Sequence, residues 1–336
     1  MNAVAYDFAN SVAGVLDTPW LQLLQPDIKQ PLWSRAVKEQ LDKREYFVLS
    51  VSPNGELIRC LCTRVKPSSA TLFSRWECLE EVKLDQVLNV GRRNLRFARI
   101  IDNFLHEDSN PNIHQFTQVK FAHFLNTVVL PHMEQRNSNS LKLLATETPF
   151  GTRLLDTLHA RFYFARVTLH WSETAAAFLE DQIEKNLYLT FISLSGDWSN
   201  CSVSSLQNFA MRKRPVSNLY YLAIAGTGVQ LTLEFFQELS AYWKLNPKIN
   251  FLLFLDKTNV AFTNAEFQAL FSRNFRDAER ICYRHHDQNE RSRLLYSRSR
   301  DSSTNITLGF IHCSCNDNSG FCWLKTSMPN AHSYAA

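Results

Sequence analysis

The first 45 residues carry apolar positions at the spacing of short amphipathic helices. From Phe8 to Leu16, apolar side chains recur at i, i+4, i+7 and i+8, which places them on one helical face. Thr18 and Pro19 provide a cap and a first helical position for a second helix, and Pro31 opens a third, "PLWSRAVKEQLDKRE". Three such helices bury little apolar surface alone, so we expect them to pack on the rest of the chain or on a partner.

The period changes at residue 46. In "YFVLSVSPNGELIRCLCTRV", Asn54 and Gly55 separate two β-rich runs, which is a strong signal for a β-hairpin. Further on, "LRFARIIDNFL" (95–105) fits either a strand or a helix, because a short apolar run does not determine its own period.

A repeated pattern, L-x-x-L-x-L, begins near residue 114. Its five clear copies are Leu141–Thr146, Phe164–Leu169, Leu189–Leu194, Leu219–Ile224 and Ile249–Phe254. Their middle residues lie 23, 25, 30 and 30 positions apart. Two weaker copies, Ala278–Tyr283 and Leu308–Cys313, continue the series at intervals of 29 and 30. Helical segments between the copies predict alternating strands and helices.

The repeat predicts an α/β fold, a leucine-rich-repeat-like open solenoid of strand–helix units, because each unit must stack on its neighbours to bury its apolar face. We predict a helical segment at 1–45, a β-hairpin linker region at 46–110 and the repeat domain at 111–325. An ordinary parallel α/β sheet fits the same alternation and stays open as an alternative.

In such a repeat, the third and fifth positions of each copy face away from the core. This predicts an aromatic ridge of Phe191, Tyr221 and Phe251 on three adjacent strands, beside smaller residues. A large apolar patch of this kind is typical of a partner site. The predicted target-binding residues are Arg166, Thr168, Phe191, Ser193, Tyr221, Ala223 and Phe251.

Composition places the chain among globular proteins: 336 residues, 45% hydrophobic and 20% charged. A net charge of +4 gives no nucleic-acid footprint, so a nucleic-acid partner is not expected. The chain has no apolar run long enough for a bilayer helix, and its first residues lack the features of a secretory signal. We therefore expect a cytoplasmic or nuclear protein without a membrane partner, whose eight cysteines are free thiols.

"NLYYLAIAGTG" (218–228) reads as a buried strand that runs into Gly-x-Gly, as dinucleotide-binding folds begin. Leu231 stands where that fingerprint needs its third glycine, and no P-loop lysine follows. Gly226 and Gly228 are therefore interpreted as the turn that leaves the strand, although a nucleotide-binding enzyme remains a third alternative.

Three other groups of residues have side chains that could bind a metal ion or RNA. His312, Cys313, Cys315 and Cys322 lack a usual zinc spacing, and His285-His286 beside Cys282 reads as a solvated loop. Segment 273–300, with eight arginines and four acids, fits an RNA contact but fits a solvated face better. Hydrolase, metalloprotease and kinase signatures do not occur. We predict no enzyme, no metal and no cofactor.

"VAYDFANSVAGVL", "PLWSRAVKEQLDKREYFVLSV", "LRFARIID" and "FLEDQIEKNLYLTFISLSGDWS" together resemble the large, divergent F-box-like families of nematodes. The resemblance implies an N-terminal F-box-like segment that docks the small adaptor subunit of a cullin-based ubiquitin ligase, and a repeat domain that binds a target protein. Val4-Ala5 departs from the Leu-Pro with which that pattern usually starts. The adaptor-binding residues it implies are Tyr6, Phe8, Val12, Leu16, Trp20, Leu23, Leu24 and Trp33.

The predicted function is thus a non-enzymatic substrate receptor of such a ligase. The alternative is a stand-alone interaction or scaffold protein of the same fold, whose first helices only cap the repeat domain.

Overall fold

A computed structural model describes twelve parts of the chain: 6–16, 21, 25–67, 76–102, 110–134, 139–212, 219–261, 263, 266, 281–286, 289–298 and 305–312. The chain divides into two compact units, unit 1 (Met1–Val167) and unit 2 (Thr168–Ala336). The boundaries expected at 45/46 and 110/111 do not coincide with this division and stay predictions.

Unit 1 begins with two of the three predicted helices, α1 (Tyr6–Val15) and α2 (Pro31–Lys43). Pro31 is the first residue of α2, as predicted. The helices share a small core of Ala9, Ala13, Leu21, Ala36 and Val37. Most of the predicted middle helix lies outside the described residues.

The elements that follow α2 in unit 1 are β1 (Glu45–Asn54), β2 (Leu57–Pro67), β3 (Trp76–Val82), α3 (Leu84–Asn89), β4 (Leu95–Ile101), β5 (His114–Thr117), α4 (Gln118–Phe124), β6 (Ser140–Leu143) and α5 (Pro149–Leu158). A π-helical turn, Leu125–Val129, continues α4. Strand β7 (Arg166–His170) begins in unit 1.

The predicted hairpin is confirmed. Strands β1 and β2 pair antiparallel, with Asn54 opposite Leu57, and Gly55 takes a φ of +60° in the turn between them. "LRFARII" is a strand, because β4 pairs parallel with β1 on one side and with β6 on the other. The strand order in unit 1 is β6-β4-β1-β2-β3, and β5 pairs with β2.

Buried polar side chains tie the ends of neighbouring strands together in unit 1. The Asp102 carboxylate, just after β4, accepts hydrogen bonds from the backbone N–H groups of Leu144 and Ala145 at 2.6–2.8 Å. The Asn139 side chain, just before β6, accepts from the Ala165 N–H at 2.6 Å and donates to the Tyr163 carbonyl at 3.2 Å. These contacts satisfy backbone groups that the sheet alone leaves open.

Unit 2 alternates strands and helices: β7 is followed by α6 (Glu173–Lys185), β8 (Phe191–Ser195), α7 (Val203–Met211), β9 (Tyr220–Ala223), α8 (Leu233–Leu245) and β10 (Phe251–Asp256). Ser172, Ser202 and Thr232 cap the three helices by accepting a backbone N–H. Strands β8, β9 and β10 are parallel neighbours in sequence order, so the order does not reverse at β9.

The last strands contradict one prediction. Strands β11 (Ile281–His286), β12 (Asn289–Arg298) and β13 (Asn305–His312) pair antiparallel with one another, and β13 pairs antiparallel with β10. The two weaker repeat copies are therefore not further parallel units, although their spacing of about 30 residues matches the repeat. The chain is an α/β protein with open, mixed pairing of strands; its solenoid character stays an expectation.

Candidate functional site

Aromatic side chains of α1 and α2 lie at one surface, which we call the N-terminal aromatic surface: the exposed Phe8 and the half-buried Tyr6 and Trp33, which also pack against the small core of the helices. Phe8 is 57% exposed and contacts the edge of Trp33, with ring centroids 6.3 Å apart at 88°. The Arg35 guanidinium lies 5.1 Å from the centre of the Tyr6 ring, within the range of a cation–π contact. Because larger exposed apolar patches mark interaction sites, this group of aromatic side chains is a candidate contact surface.

Hydrogen bonds fix the polar edge of this surface. The Tyr6 hydroxyl donates to the Glu39 carboxylate, which raises the pKa of Tyr6. Lys43 donates to Glu39 at 2.6 Å, and this bond together with the one from Tyr6 lowers the pKa of Glu39. The carboxylate is thus ionised at neutral pH and holds Tyr6 on the surface.

The other predicted adaptor-binding residues divide into two groups. Val12 and Leu16 are half-buried, and Leu16 packs against the small core of the helices. Trp20, Leu23 and Leu24 lie outside the described residues. The structure therefore brings Phe8 and Trp33 into contact, while Tyr6 contacts Arg35 and Glu39 of α2.

A buried ionic cluster, which we call the arginine–glutamate triad, holds the end of α1. Arg44 donates to the carbonyl oxygens of Ala13 at 3.1 Å and Leu16 at 2.5 Å. Arg96 of β4 donates to the Gly14 carbonyl at 2.6 Å. Glu134, 1% exposed, lies 3.7 Å from Arg44 Nη1 and 3.9 Å from Arg96 Nε. Cations at the carboxyl end of a helix interact favourably with its dipole.

Sequence reasoning missed this triad. Its members are 52 and 38 positions apart along the chain, and no local motif connects them. The available signal was a pair of arginines, Arg96 and Arg99, among the apolar residues of β4, since a cation in such a place needs a partner.

The second candidate surface is the strand face of unit 2, formed by residues of β8, β9 and β10. The Phe191 and Tyr221 rings, predicted to stack, do so at 4.8 Å and 10°. Both side chains are half-buried, and burial raises the pKa of Tyr221 to about 12. Tyr221 is thus a neutral phenol at physiological pH, able to donate a hydrogen bond.

The prediction that Phe251 completes this ridge is wrong. Strand β10 pairs Phe251 with Tyr220, so Phe251 lies on the opposite face, is 1% exposed, and contacts Phe209 of α7 at 6.5 Å. The L-x-x-L-x-L frame aligned Leu222 with Leu252, whereas the strands align Leu222 with Leu253. A shift of one residue moves every side chain of a strand to the other face.

Leu252 takes the place predicted for Phe251, opposite Tyr221. It is 3% exposed because its side chain lies over Gly309 of β13, where an added Cβ would come within 2.9 Å of it. The next row along the face is Ser193, Ala223 and Phe254.

Three of the remaining predicted target-binding residues, Arg166, Thr168 and Ser193, are half-buried. Ala223 is 9% exposed, so it offers little contact area. Arg166 belongs to unit 1, whereas the others lie in unit 2.

The Gly-x-Gly stretch is a turn, as interpreted from the sequence. Gly226 and Gly228 both take a φ of +72° directly after β9. The Gly226 N–H donates to the Asp256 carboxylate at 2.7 Å, and Asp197 lies so close to Gly228 that an added Cβ would be 2.8 Å from its Oδ1. A phosphate would meet a carboxylate in place of a free N–H at Gly226.

Ser195, Cys60 and Cys62 carry nucleophilic side chains. His170 Nδ1 lies 3.2 Å from Ser195 Oγ, but that hydroxyl also lies 3.4 Å from the Leu169 carbonyl, to which it donates. Burial raises the pKa of the Cys62 thiol to about 12 and that of Cys60 well above its usual value, so both are protonated at neutral pH.

The described ranges contain no cluster of three or more His, Cys, Asp or Glu side chains placed to hold a metal ion. Within the same ranges, no helix combines the length and the apolar character needed to cross a bilayer. The side chains of Cys282, His285 and His286, and the residues Cys313, Cys315 and Cys322, lie outside the description.

Comparison with known proteins identifies no relative. A scan against protein-family models, a search of curated proteins and a search of solved structures each match nothing. The F-box-like resemblance therefore stays a prediction, and function must be inferred from the two surfaces.

Proposed function

We propose that the chain is a non-enzymatic substrate receptor of a cullin-based ubiquitin ligase. Its N-terminal aromatic surface docks the adaptor subunit, and the strand face of unit 2 binds the target protein. The strand–helix alternation of unit 2 is compatible with a leucine-rich-repeat-like solenoid, a fold that would suit an open binding face.

The observation that carries the proposal is the exposure of Phe8. A side chain of this size that is 57% exposed removes considerable apolar surface from water only when a partner covers it. Its contact with Trp33 and the Arg35–Tyr6 contact give the surface aromatic anchors and a cation, residue types that dominate binding at protein interfaces.

The arginine–glutamate triad supports the same proposal. It ties the carboxyl end of α1, the helix that carries Tyr6 and Phe8, to β4 through Arg96. A preformed surface loses less conformational entropy on binding than a flexible one.

The strand face is suited to bind a target protein because polar groups lie next to its stacked aromatic rings. The stacked rings of Phe191 and Tyr221 offer a flat apolar platform, while the neutral Tyr221 hydroxyl and Ser193 can pair with backbone groups of a partner.

One observation favours a second function, the stand-alone scaffold protein. The triad also explains α1 and α2 as a structural cap on unit 1, which needs no adaptor. A nucleotide-binding enzyme has less support, because the Gly226 N–H already donates to Asp256.

Co-expression of the full chain with the adaptor subunit, followed by size-exclusion chromatography, separates the two functions. The receptor function predicts a single stable complex of one chain with one adaptor. If the proteins elute separately at micromolar concentration while the chain remains folded, the scaffold function is the correct one.

A further inference from the structure

Unit 1 contains a cavity of about 350 Å³ that neither proposed surface uses. It lies between α4 and α5 above Ile58 of β2, and the residues on which its chemistry depends are Gln118, Phe121, Leu125, Phe150, Arg153 and Asp156. The volume is within the range of small-molecule sites, which begins at about 300 Å³.

The interior of the cavity is apolar and aromatic. The Phe121 and Phe150 rings contact each other in the cavity wall, with centroids 5.9 Å apart and planes tilted by 54°. Behind Phe121, Phe116 stacks on Phe124 at 5.1 Å, which keeps the wall fixed. Leu125, at the inner end of α4, is the first residue of the π-helical turn, an irregularity found frequently at functional sites.

The rim carries one cation and one anion on the same helix. Arg153 Nε donates to the Pro149 carbonyl at 3.1 Å, and its Nη1 donates to the Gln118 side chain, so the guanidinium is held between α5 and α4. Within the described part of the chain, Arg153 Nη2 has no hydrogen-bond partner and Asp156 has no ion pair. Residues three apart on a helix lie on neighbouring positions of one face.

We propose that this cavity binds a free α-amino acid with a large apolar side chain, such as phenylalanine. The apolar side chain enters the cavity and packs against Phe121, Phe150 and Leu125, the carboxylate pairs with Arg153, and the ammonium pairs with Asp156. Because both rim groups are exposed, each ion pair adds little, and we expect a Kd of about 0.05–1 mM.

Saturation-transfer NMR on the purified full chain tests the proposal with three probes. These are L-phenylalanine, 3-phenylpropanoate, which lacks the ammonium, and 2-phenylethylamine, which lacks the carboxylate. We expect each analogue to bind about two- to fivefold more weakly than L-phenylalanine, the effect of one exposed ion pair. No binding of L-phenylalanine up to about 10 mM, or equal binding of all three probes, would overturn the proposal.

Variants then assign the charges to their residues. The Arg153→Gln variant is expected to bind L-phenylalanine no better than the unmodified chain binds 2-phenylethylamine. The Asp156→Asn variant is expected to bind L-phenylalanine no better than the unmodified chain binds 3-phenylpropanoate. Arg161→Gln removes an exposed arginine outside the cavity lining and should leave all three affinities unchanged. An equal loss of affinity for L-phenylalanine in Arg161→Gln and Arg153→Gln would show a general effect of net charge and would contradict the assignment.

Filling the cavity locates the bound ligand. Ala122→Trp and Thr157→Trp each place an indole at the cavity lining from a position that is not buried, so folding should persist. At least one of them, and the double variant, should abolish binding of L-phenylalanine. Unchanged binding in the double variant would place the ligand elsewhere and overturn the proposal.

Discussion

The Phe191 and Tyr221 rings stack with their centroids 4.8 Å apart, and their planes are 10° from parallel. The next strand adds no third aromatic to this pair, because its register places Leu252 beside Tyr221 and turns Phe251 to the opposite face. The two aromatics of the strand face are thus half-buried, whereas Phe251 is buried in the core.

Phe251→Ala is expected to lower the free energy of unfolding by about 3–5 kcal/mol, because it leaves a cavity in the core. Phe191→Ala removes a half-buried ring and should cost less, about 1–3 kcal/mol, from the lost stacking and the lost partial burial. Urea denaturation of both variants measures the difference. Equal losses would mean that the register places the two rings in similar surroundings.

The raised pKa of Tyr221 predicts that the folded protein loses stability at alkaline pH. Its folded-state pKa of about 12 lies above the ordinary value of 10.0, so the unfolded chain releases this proton first as the pH rises. The stabilisation is complete below pH 10 and is lost progressively as the pH rises towards 12, by roughly 2–3 kcal/mol in total. Tyr221→Phe should flatten the decline in the free energy of unfolding between pH 10 and 12. An unchanged decline in this variant would assign the effect to other groups.

Gly228→Ala is expected to destabilise unit 2. An alanine at a φ of +72° is strained, and its Cβ would lie 2.8 Å from Asp197 Oδ1. We expect a loss of about 1–3 kcal/mol. Gly91→Ala is the control, since that glycine lacks a positive φ and its nearest neighbour atom is 3.9 Å away. Thermal denaturation that gives the same midpoint for both variants would contradict the turn geometry.

Neutralising the one carboxylate of the arginine–glutamate triad is expected to lower the free energy of unfolding strongly. Glu134→Gln leaves Arg44 and Arg96 buried beside a neutral amide, which should cost about 3–5 kcal/mol in urea denaturation. Glu77→Gln breaks the exposed pair with Lys66 and should cost less than about 1 kcal/mol. A loss of less than about 1 kcal/mol in Glu134→Gln would mean that the triad does not hold α1 in place.

Much of the fold could be predicted because local signals agreed with the tertiary structure. Pro31 begins α2, Gly55 turns the first hairpin, and Ser172 caps α6, each by a mechanism visible in a few residues. The copies of the L-x-x-L-x-L pattern that begin at residues 164, 189 and 219 predicted Val167, Ile192 and Leu222 to lie in the core, and each is fully buried.

The failures occurred where pairing between distant segments decides the structure. Ile249–Phe254 matches the repeat in one frame, but the pairing of β10 with β9 and β13 selects the frame shifted by one residue. The segments around Ile281 and Ile311 have the repeat spacing, yet they pair antiparallel, and spacing carries no information about strand direction.

The candidate sites were predictable to different degrees. Phe191 and Tyr221 follow from strand alternation alone. The exposed contact of Phe8 with Trp33 and the triad at Glu134 depend on how two helices and a later segment pack, which local periodicity does not encode.

The affinity of the full chain for the adaptor subunit, measured by isothermal titration calorimetry with two matched variants, tests the central claim most directly. Phe8→Glu and Leu88→Glu each place a carboxylate at an exposed apolar position of unit 1, 57% and 51% exposed, so both should fold. We predict that Phe8→Glu weakens adaptor binding at least tenfold, as loss of an interface anchor does, while Leu88→Glu leaves it unchanged. Equal affinities for the unmodified chain and Phe8→Glu, or no adaptor binding by the unmodified chain, would contradict the claim.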